Sequence, residues 1–252
     1  MKRNSSGFTL AELAIVVVIV GLLMGSLLLT MSTQLDQRKR SDTQQTLDQA
    51  RDALIGYVIA NGRLPCPAIH VAATDTGVEA PIGGGTCTAP YSGFYPATTV
   101  GLSNTDSQGY LLDAWNNRIR YAVTTATTAV PNTFTTANQI KTTGIPNITA
   151  PSTGAPYLYV CNSASGMTTG ASASCPASTT LTYGAVAVIY SLGSNYASGG
   201  SGIDEAKNVD ADRAFISHDP TDAAAANGEF DDIVTWLSPN VLYNRLVAAG
   251  AI

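Results

Sequence analysis

The chain has 252 residues, which is long enough for one sizeable domain with its own core. Charged residues make up only 12% of it and the formal net charge at pH 7 is −5, so the composition does not indicate a nucleic acid or another polyanion as a partner. Its two histidines are far apart and it contains neither a Gly-x-Ser-x-Gly nor a His-Glu-x-x-His motif, so the sequence does not predict an enzyme.

The N-terminus has the features of a membrane anchor. A polar segment with two positive charges, residues 1–7, precedes an apolar run from Phe8 to Met31. A helix of about 20 apolar residues spans a bilayer, and the preceding positive charges place its start in the cytoplasm and the rest of the chain outside. A secretory signal peptide fits less well, because its apolar region has only about 7–15 residues.

One acidic residue, Glu12, lies inside this apolar run. A carboxylate near the centre of a bilayer costs roughly 3 kcal/mol on insertion scales, so such a residue usually has a partner and a function. No basic residue follows within two helical turns. A plain transmembrane anchor therefore leaves Glu12 unexplained.

The segment Gly7-Phe8-Thr9-Leu10-Ala11-Glu12-Leu13 resembles the prepilin cleavage and methylation motif of type IV pilins and type II secretion pseudopilins. The resemblance implies cleavage by a prepilin peptidase after Gly7 and N-methylation of Phe8, with Glu12 pairing with the terminal amine of a neighbouring subunit. It also implies an inner-membrane assembly platform and identical or related pilin subunits as partners. Ala11 departs from the family, which usually has Ile there.

The helical pattern continues beyond the predicted transmembrane segment, residues 8–31. Residues 32–62 form a predicted amphipathic helix whose apolar side chains recur at helical spacing. These are Leu47, Ala50, Leu54, Ile55 and Val58. Asn61-Gly62 followed by Pro65 predicts the end of the helix. The predicted organisation is a leader at 1–7, an N-terminal helix at 8–62 and an exported globular domain at 63–252.

The four cysteines are Cys66, Cys87, Cys161 and Cys175, and their spacing matches no common zinc motif. Four cysteines allow three disulfide connectivities, and an exported chain is expected to pair them. The local pairing, Cys66–Cys87 with Cys161–Cys175, is favoured because each bond closes a loop rich in Gly, Ser and Thr. Four reduced core cysteines are the alternative.

The globular domain is predicted to contain an antiparallel sheet with one buried face, since strand-like segments alternate with polar loops. The segments are 118–125, 157–161, 185–192 and 230–237. Ser238-Pro239 predicts the start of a short C-terminal helix. The predicted fold is α+β and pilin-like: a long N-terminal helix packed on a small antiparallel sheet, with many loops and a short helix at the end.

Three later segments are similar to the major pseudopilin of type II secretion: Asp113–Tyr121, Ile189–Asn195 and Asp231–Ile233. The resemblance implies a calcium site in the late loop, with carboxylates from Asp231 and Asp232 and carbonyl oxygens from Leu192 and Ser194. Calcium takes six to eight oxygen ligands, which these groups supply in part. Further acids lie in the same loop, namely Asp204, Glu205, Asp210 and Asp212. A solvated acidic loop without a metal is the alternative.

Three functions remain at this point. The first is a subunit of a type IV pilus that acts in adhesion, motility or DNA uptake. The second is a pseudopilin that drives protein export, which the late segments favour. The third is a membrane-anchored binding domain that never assembles, which does not account for Glu12.

Overall fold

The computed structural model describes residues 9–126, 130, 132–144, 157–196 and 202–252, and the side chains of residues 23–33 and 171 lie outside this description. The chain divides into two compact units, residues 1–41 and 42–252. The first unit contains the beginning of helix α1, which extends from Leu10 to Asn61. Every described residue from Thr9 to Leu22 is exposed in the isolated chain.

No helix among the described residues combines the length and the apolar character needed to cross a membrane. The predicted transmembrane segment, 8–31, lies partly outside the described residues, because residue 8 and the side chains from 23 onward are not among them. The transmembrane segment therefore stays a prediction.

Within the second unit, α1 packs through the predicted apolar stripe. Leu47, Ala50, Leu54 and Val58 are fully buried there. The helix ends at Asn61, and Gly62 follows with a φ of +67°, a conformation that favours glycine.

A four-stranded antiparallel sheet lies against this stripe. Its strands are β1 (Gly93–Phe94), β2 (Arg120–Val123), β5 (Ala187–Ser191) and β7 (Ile233–Leu237), in the order β1-β2-β5-β7. Tyr121 pairs with Ile189, and Ile189 with Thr235. Tyr121 and Ile189 share the main core with the α1 stripe, so the sheet holds the second half of the helix by apolar packing.

A second sheet has three strands in the order β4-β3-β6: β4 (Thr180–Ala185), β3 (Leu158–Cys161) and β6 (Ala214–Ile216). β3 pairs with β4 antiparallel and with β6 parallel. Its residues Leu158, Val160 and Phe215 form a second core with Val188 and Tyr190 from β5. The prediction of one buried sheet face was therefore wrong, because the second sheet covers the opposite face of the first.

The helices after α1 are short. They are α2 (Ala97–Val100), α3 (Gln139–Thr143), α4 (Ile203–Asn208) and α5 (Pro239–Ala248). α5 begins as the sequence predicts, since the Ser238 side chain accepts a hydrogen bond from the Val241 amide and Pro239 occupies the first turn. The fold is thus α+β, with a long N-terminal helix and an antiparallel sheet.

Candidate functional sites

A buried turn at Asp113 connects two of the pseudopilin-like segments, Asp113–Tyr121 and Ile189–Asn195. One carboxylate oxygen of Asp113 accepts hydrogen bonds from the amides of Trp115 and Asn117, both at 2.8 Å. The other accepts the Ser191 hydroxyl at 2.6 Å. The Asn117 side chain donates to the Gly193 carbonyl at 2.7 Å. Segments that are more than 70 residues apart in the chain therefore meet at this turn.

The third segment joins at Asp231. Its Oδ2 accepts hydrogen bonds from the Ser194 amide at 2.7 Å and the Ser194 hydroxyl at 2.6 Å. Gly193 has a φ of +62°, and a Cβ at this position would lie 1.9 Å from Asp231 Oδ1. Only glycine fits between the loop and this carboxylate.

Three carboxylates converge beside this loop. Glu205, Asp231 and Asp232 each offer an oxygen, and these oxygens lie within 4.8 Å of one another. The three residues are 4–5% exposed. Glu205 Oε1 accepts the Asn195 side-chain amide at 2.8 Å and the Asp231 amide at 3.0 Å, whereas Oε2 has no hydrogen-bond partner in the described part of the chain.

The electrostatics of this carboxylate cluster are unfavourable without a counter-charge. Burial, together with the negative charges of Glu205 and Asp231, raises the pKa of Asp232 to about 8, although a hydrogen bond from Asn208 lowers it. A hard divalent cation such as Ca²⁺ prefers carboxylate oxygens and would neutralise the repulsion. The three converging oxygens fit such an ion, and so does the buried Glu205 Oε2, which accepts no hydrogen bond from the described residues.

The structure brings together part of the predicted ligand set. Asp231 and Asp232 are both in the cluster, and Ser194 contacts it by donating to Asp231. Leu192 is buried in the second core. The ligand roles of the Leu192 and Ser194 carbonyl groups stay predictions. Glu205, which the sequence placed only among the loop acids, is the additional member.

The other loop acids point elsewhere. Asp204 accepts hydrogen bonds from the Ala164 amide at 2.6 Å and from Asn227, and it lies 3.2 Å from His218 Nε2. Asp210 and Asp212 both contact the ammonium group of Lys207. Asp204 and Glu205 are neighbours in the first turn of α4, where successive side chains diverge, and this helix was not predicted.

At the N-terminus, Thr9 and Glu12 form a capping box around the start of α1. Glu12 Oε2 accepts the Thr9 amide at 2.9 Å and the Thr9 hydroxyl at 3.0 Å, and the Glu12 amide donates to the same hydroxyl at 3.3 Å. This role of Glu12 was not predicted, although Thr-x-x-Glu before an apolar run is the sequence signature of a capping box. The predicted cleavage residues Gly7 and Phe8 lie outside the described residues.

Both disulfides join cysteines close in sequence, Cys66 with Cys87 and Cys161 with Cys175. A buried ion pair lies beside the first bond. Glu79 contacts the guanidinium of Arg63 at 2.6 and 2.7 Å and accepts the Cys66 amide at 3.1 Å. The end of α1 is thus connected to the first disulfide loop.

The N-terminal segment corresponds to a known family of motifs. The family described as "Prokaryotic N-terminal methylation motif" matches residues 2–28. The chain carries this motif. The methylation motif is that of type IV pilin and pseudopilin precursors, which are membrane-anchored structural subunits processed by a prepilin peptidase. No curated protein and no solved structure matches the chain significantly.

Proposed function

We propose that the protein is a type IV pilin-like filament subunit. It is made as a single-pass inner-membrane precursor with a cytoplasmic N-terminus, clipped between Gly7 and Phe8, and assembled through its N-terminal helix into a periplasmic or extracellular filament. The observation that carries the proposal is the methylation motif at residues 2–28, joined to one helix from Leu10 to Asn61.

The exposed part of α1 supports an assembly role. Leu10 is 90% exposed and Leu22 is 71% exposed, and the residues between them include seven further exposed aliphatic side chains. A surface of this kind is unfavourable in water and requires lipid or protein around it. In the precursor, membrane lipid surrounds the predicted transmembrane segment 8–31. In the filament, the helices of other subunits take the place of the lipid.

Glu12 can hold its own helix and a neighbour at the same time. Its Oε2 accepts both hydrogen bonds from Thr9, and Oε1 accepts none from the described residues. A carboxylate offers about four lone-pair sites, so the capping box leaves an oxygen for the methylated amine of Phe8 in another subunit. Charge pairing in an apolar filament core would set the register between subunits.

Two variants separate charge pairing from capping. Glu12→Gln keeps an oxygen that can accept from Thr9 but removes the charge, whereas Glu12→Ala removes both. We expect both variants to be inserted and cleaved and neither to form normal filaments, as measured by immunoblotting of sheared filaments against cell-bound subunit. Filaments at the wild-type level from Glu12→Gln would contradict the charge-pairing role.

Processing has its own measurement. Mass spectrometry of the mature protein should find Phe8 as the first residue, with one added methyl group. A mature chain that starts elsewhere would contradict the central proposal.

A pseudopilin of type II secretion is the second candidate. The observation that favours it is the meeting of the three late segments at Asp113, Gly193 and Asp231. Under this proposal Glu205, Asp231 and Asp232 hold Ca²⁺ together with carbonyl oxygens near Leu192 and Ser194. A secretin and a secretion ATPase in the neighbouring genes would favour it, and pilus motility ATPases would favour the pilus.

A further inference from the structure

The second unit is strongly acidic and uses most of its cations internally. Residues 42–252 contain 16 acidic and 8 basic side chains. Arg63, Arg118 and Lys207 form salt bridges with acids of the same unit, and their side chains are 8%, 22% and 6% exposed. Lys141 and Arg245 are exposed and make no salt bridge to any described residue.

Arg245 lies on a groove of about 480 Å³ between α1, β7 and α5. We call it the arginine groove, and it is lined by Arg51, Asp52, Ile55, Thr235, Trp236, Leu237, Ser238, Val241 and Arg245. Trp236 is partly buried, and Val241 is 46% exposed. Arg51 forms salt bridges with Asp48 at 3.3 Å and Asp52 at 4.0 Å, so Arg245 is the lining cation that makes no salt bridge to a described residue. Tryptophan and arginine around a partly apolar depression are the residues that most often anchor protein interfaces.

A cation in the last turn of a helix also stabilises that helix by interacting with its dipole. That effect accounts for a positive charge near the end of α5. It does not account for a partly exposed tryptophan and an exposed valine that line the same groove. The combination points to a ligand that carries negative charge next to small apolar groups.

The same chain presents such a surface in residues 219–229, which we call the tip loop. Asp219 and Asp222 are exposed, and the tip between Asp222 and Asn227 consists of four alanines. The loop is rigid at its base, where Thr221 and Phe230 exchange both backbone hydrogen bonds at 3.0 and 3.1 Å. Its turn is closed by the Asp222 side chain, which accepts the Ala224 amide at 2.9 Å.

We propose that the tip loop of one subunit inserts into the arginine groove of another copy of this chain. Asp222 then pairs with Arg245, while the alanine tip covers Trp236 and Val241. Because the loop is ordered before binding, little conformational entropy is lost on association. The contact rests on the proposed function and adds the surfaces that meet between the globular units.

This contact joins two different patches, so it is heterologous. Heterologous contacts form rings when the rotation closes and open helical polymers when it does not. A contact of this type is compatible with a filament, whereas a self-complementary patch would stop at a dimer.

The test uses the full chain expressed with its assembly machinery. Arg245→Glu should lower the yield of sheared filaments at least about tenfold, as expected for the loss of one interface anchor. Lys141→Glu is the matched control, since it reverses an exposed cation of the same unit that lies outside the groove and makes no salt bridge to a described residue, and it should leave the yield unchanged. Combining Arg245→Glu with Asp222→Arg should restore most of the yield.

A second measurement locates the contact directly. Filaments of the Arg245→Cys and Asp222→Cys double variant should give covalent dimers and higher multimers on mild oxidation. Wild-type yield from Arg245→Glu, or the absence of such multimers in intact filaments, would overturn the contact and leave the proposed function standing. A wild-type chain that forms no polymer would instead overturn the proposed function, and the contact with it.

Discussion

Replacing Asp232 by Asn should stabilise the metal-free protein at neutral and alkaline pH. The folded chain holds the pKa of Asp232 at about 8, against 3.8 as its ordinary value, because the side chain is buried beside two other acids. Folding is then linked to proton uptake between about pH 4 and pH 8, so this group makes the native state progressively less stable as the pH rises through that window. Each unit of difference in pKa corresponds to about 1.4 kcal/mol, so above pH 8 the free energy of unfolding is lowered by on the order of 5 kcal/mol.

Asn has nearly the same shape, can still accept the hydrogen bond from Asn208, and carries no charge. In EDTA, Asp232→Asn should therefore match the wild type near pH 4 and exceed it by several kcal/mol near pH 8. Calcium should reverse the order at pH 8, because it stabilises only a chain with the complete carboxylate cluster.

The assay is thermal or denaturant unfolding of the mature chain in detergent, followed by tryptophan fluorescence, with and without calcium. Isothermal titration gives the calcium affinity of both forms. An equal loss of stability for Asp232→Asn at pH 4 and pH 8 in EDTA would refute the electrostatic reasoning. Absence of heat and of stabilisation with calcium in the wild type would refute the metal site.

Two further pairs of substitutions test the packing around the sites. Arg63→Met should lower the free energy of unfolding by about 3–5 kcal/mol, because it leaves the charge of Glu79, which is only 4% exposed, without a partner. Its control is Arg118→Met, which breaks the more exposed pair with Asp106 and should lower it by about 1 kcal/mol. Gly193→Ala should lower the free energy of unfolding by about 2–3 kcal/mol and abolish stabilisation by calcium, because the added Cβ would collide with Asp231. Its control is Gly101→Ala, where φ is +88° and the space around the residue is open, so that only backbone strain of about 1 kcal/mol is expected. Similar losses for the two members of either pair, measured by chemical denaturation, would contradict these assignments.

The sequence predicted the structure best where apolar residues repeat with the period of one type of secondary structure. Leu47, Leu54 and Val58 recur at helical spacing over many residues without Pro, and the same side chains are buried in the structure. β5 was predicted to have one buried face, but all five of its residues are buried. A continuous run such as Ala-Val-Ile-Tyr-Ser is typical of a strand that is covered on both sides, and the covering sheet could not be predicted from β5 itself.

The second sheet was largely missed for a different reason. β6 has only three residues, and β4 reads Thr-Leu-Thr-Tyr-Gly-Ala, which resembles the polar loops around it. The parallel pairing of β3 with β6 depends on the path of the more than 50 residues that connect the two strands, and a local sequence pattern does not predict that path. For the carboxylate cluster, the resemblance to the major pseudopilin indicated Asp231 and Asp232, but the choice of Glu205 over Asp204 depends on the orientation of α4.

The two disulfides also have a consequence for the order of events during synthesis. Each bond joins cysteines that follow one another in the chain, Cys66 with Cys87 and Cys161 with Cys175. About 70 residues separate the two pairs, which a ribosome needs several seconds to add at about 5–20 residues per second. If oxidation accompanies export, the first pair can close before the third cysteine emerges, so wrong partners are absent at the moment of bond formation. Connectivity is then determined by the direction of the chain, and an isomerase is not required to correct it.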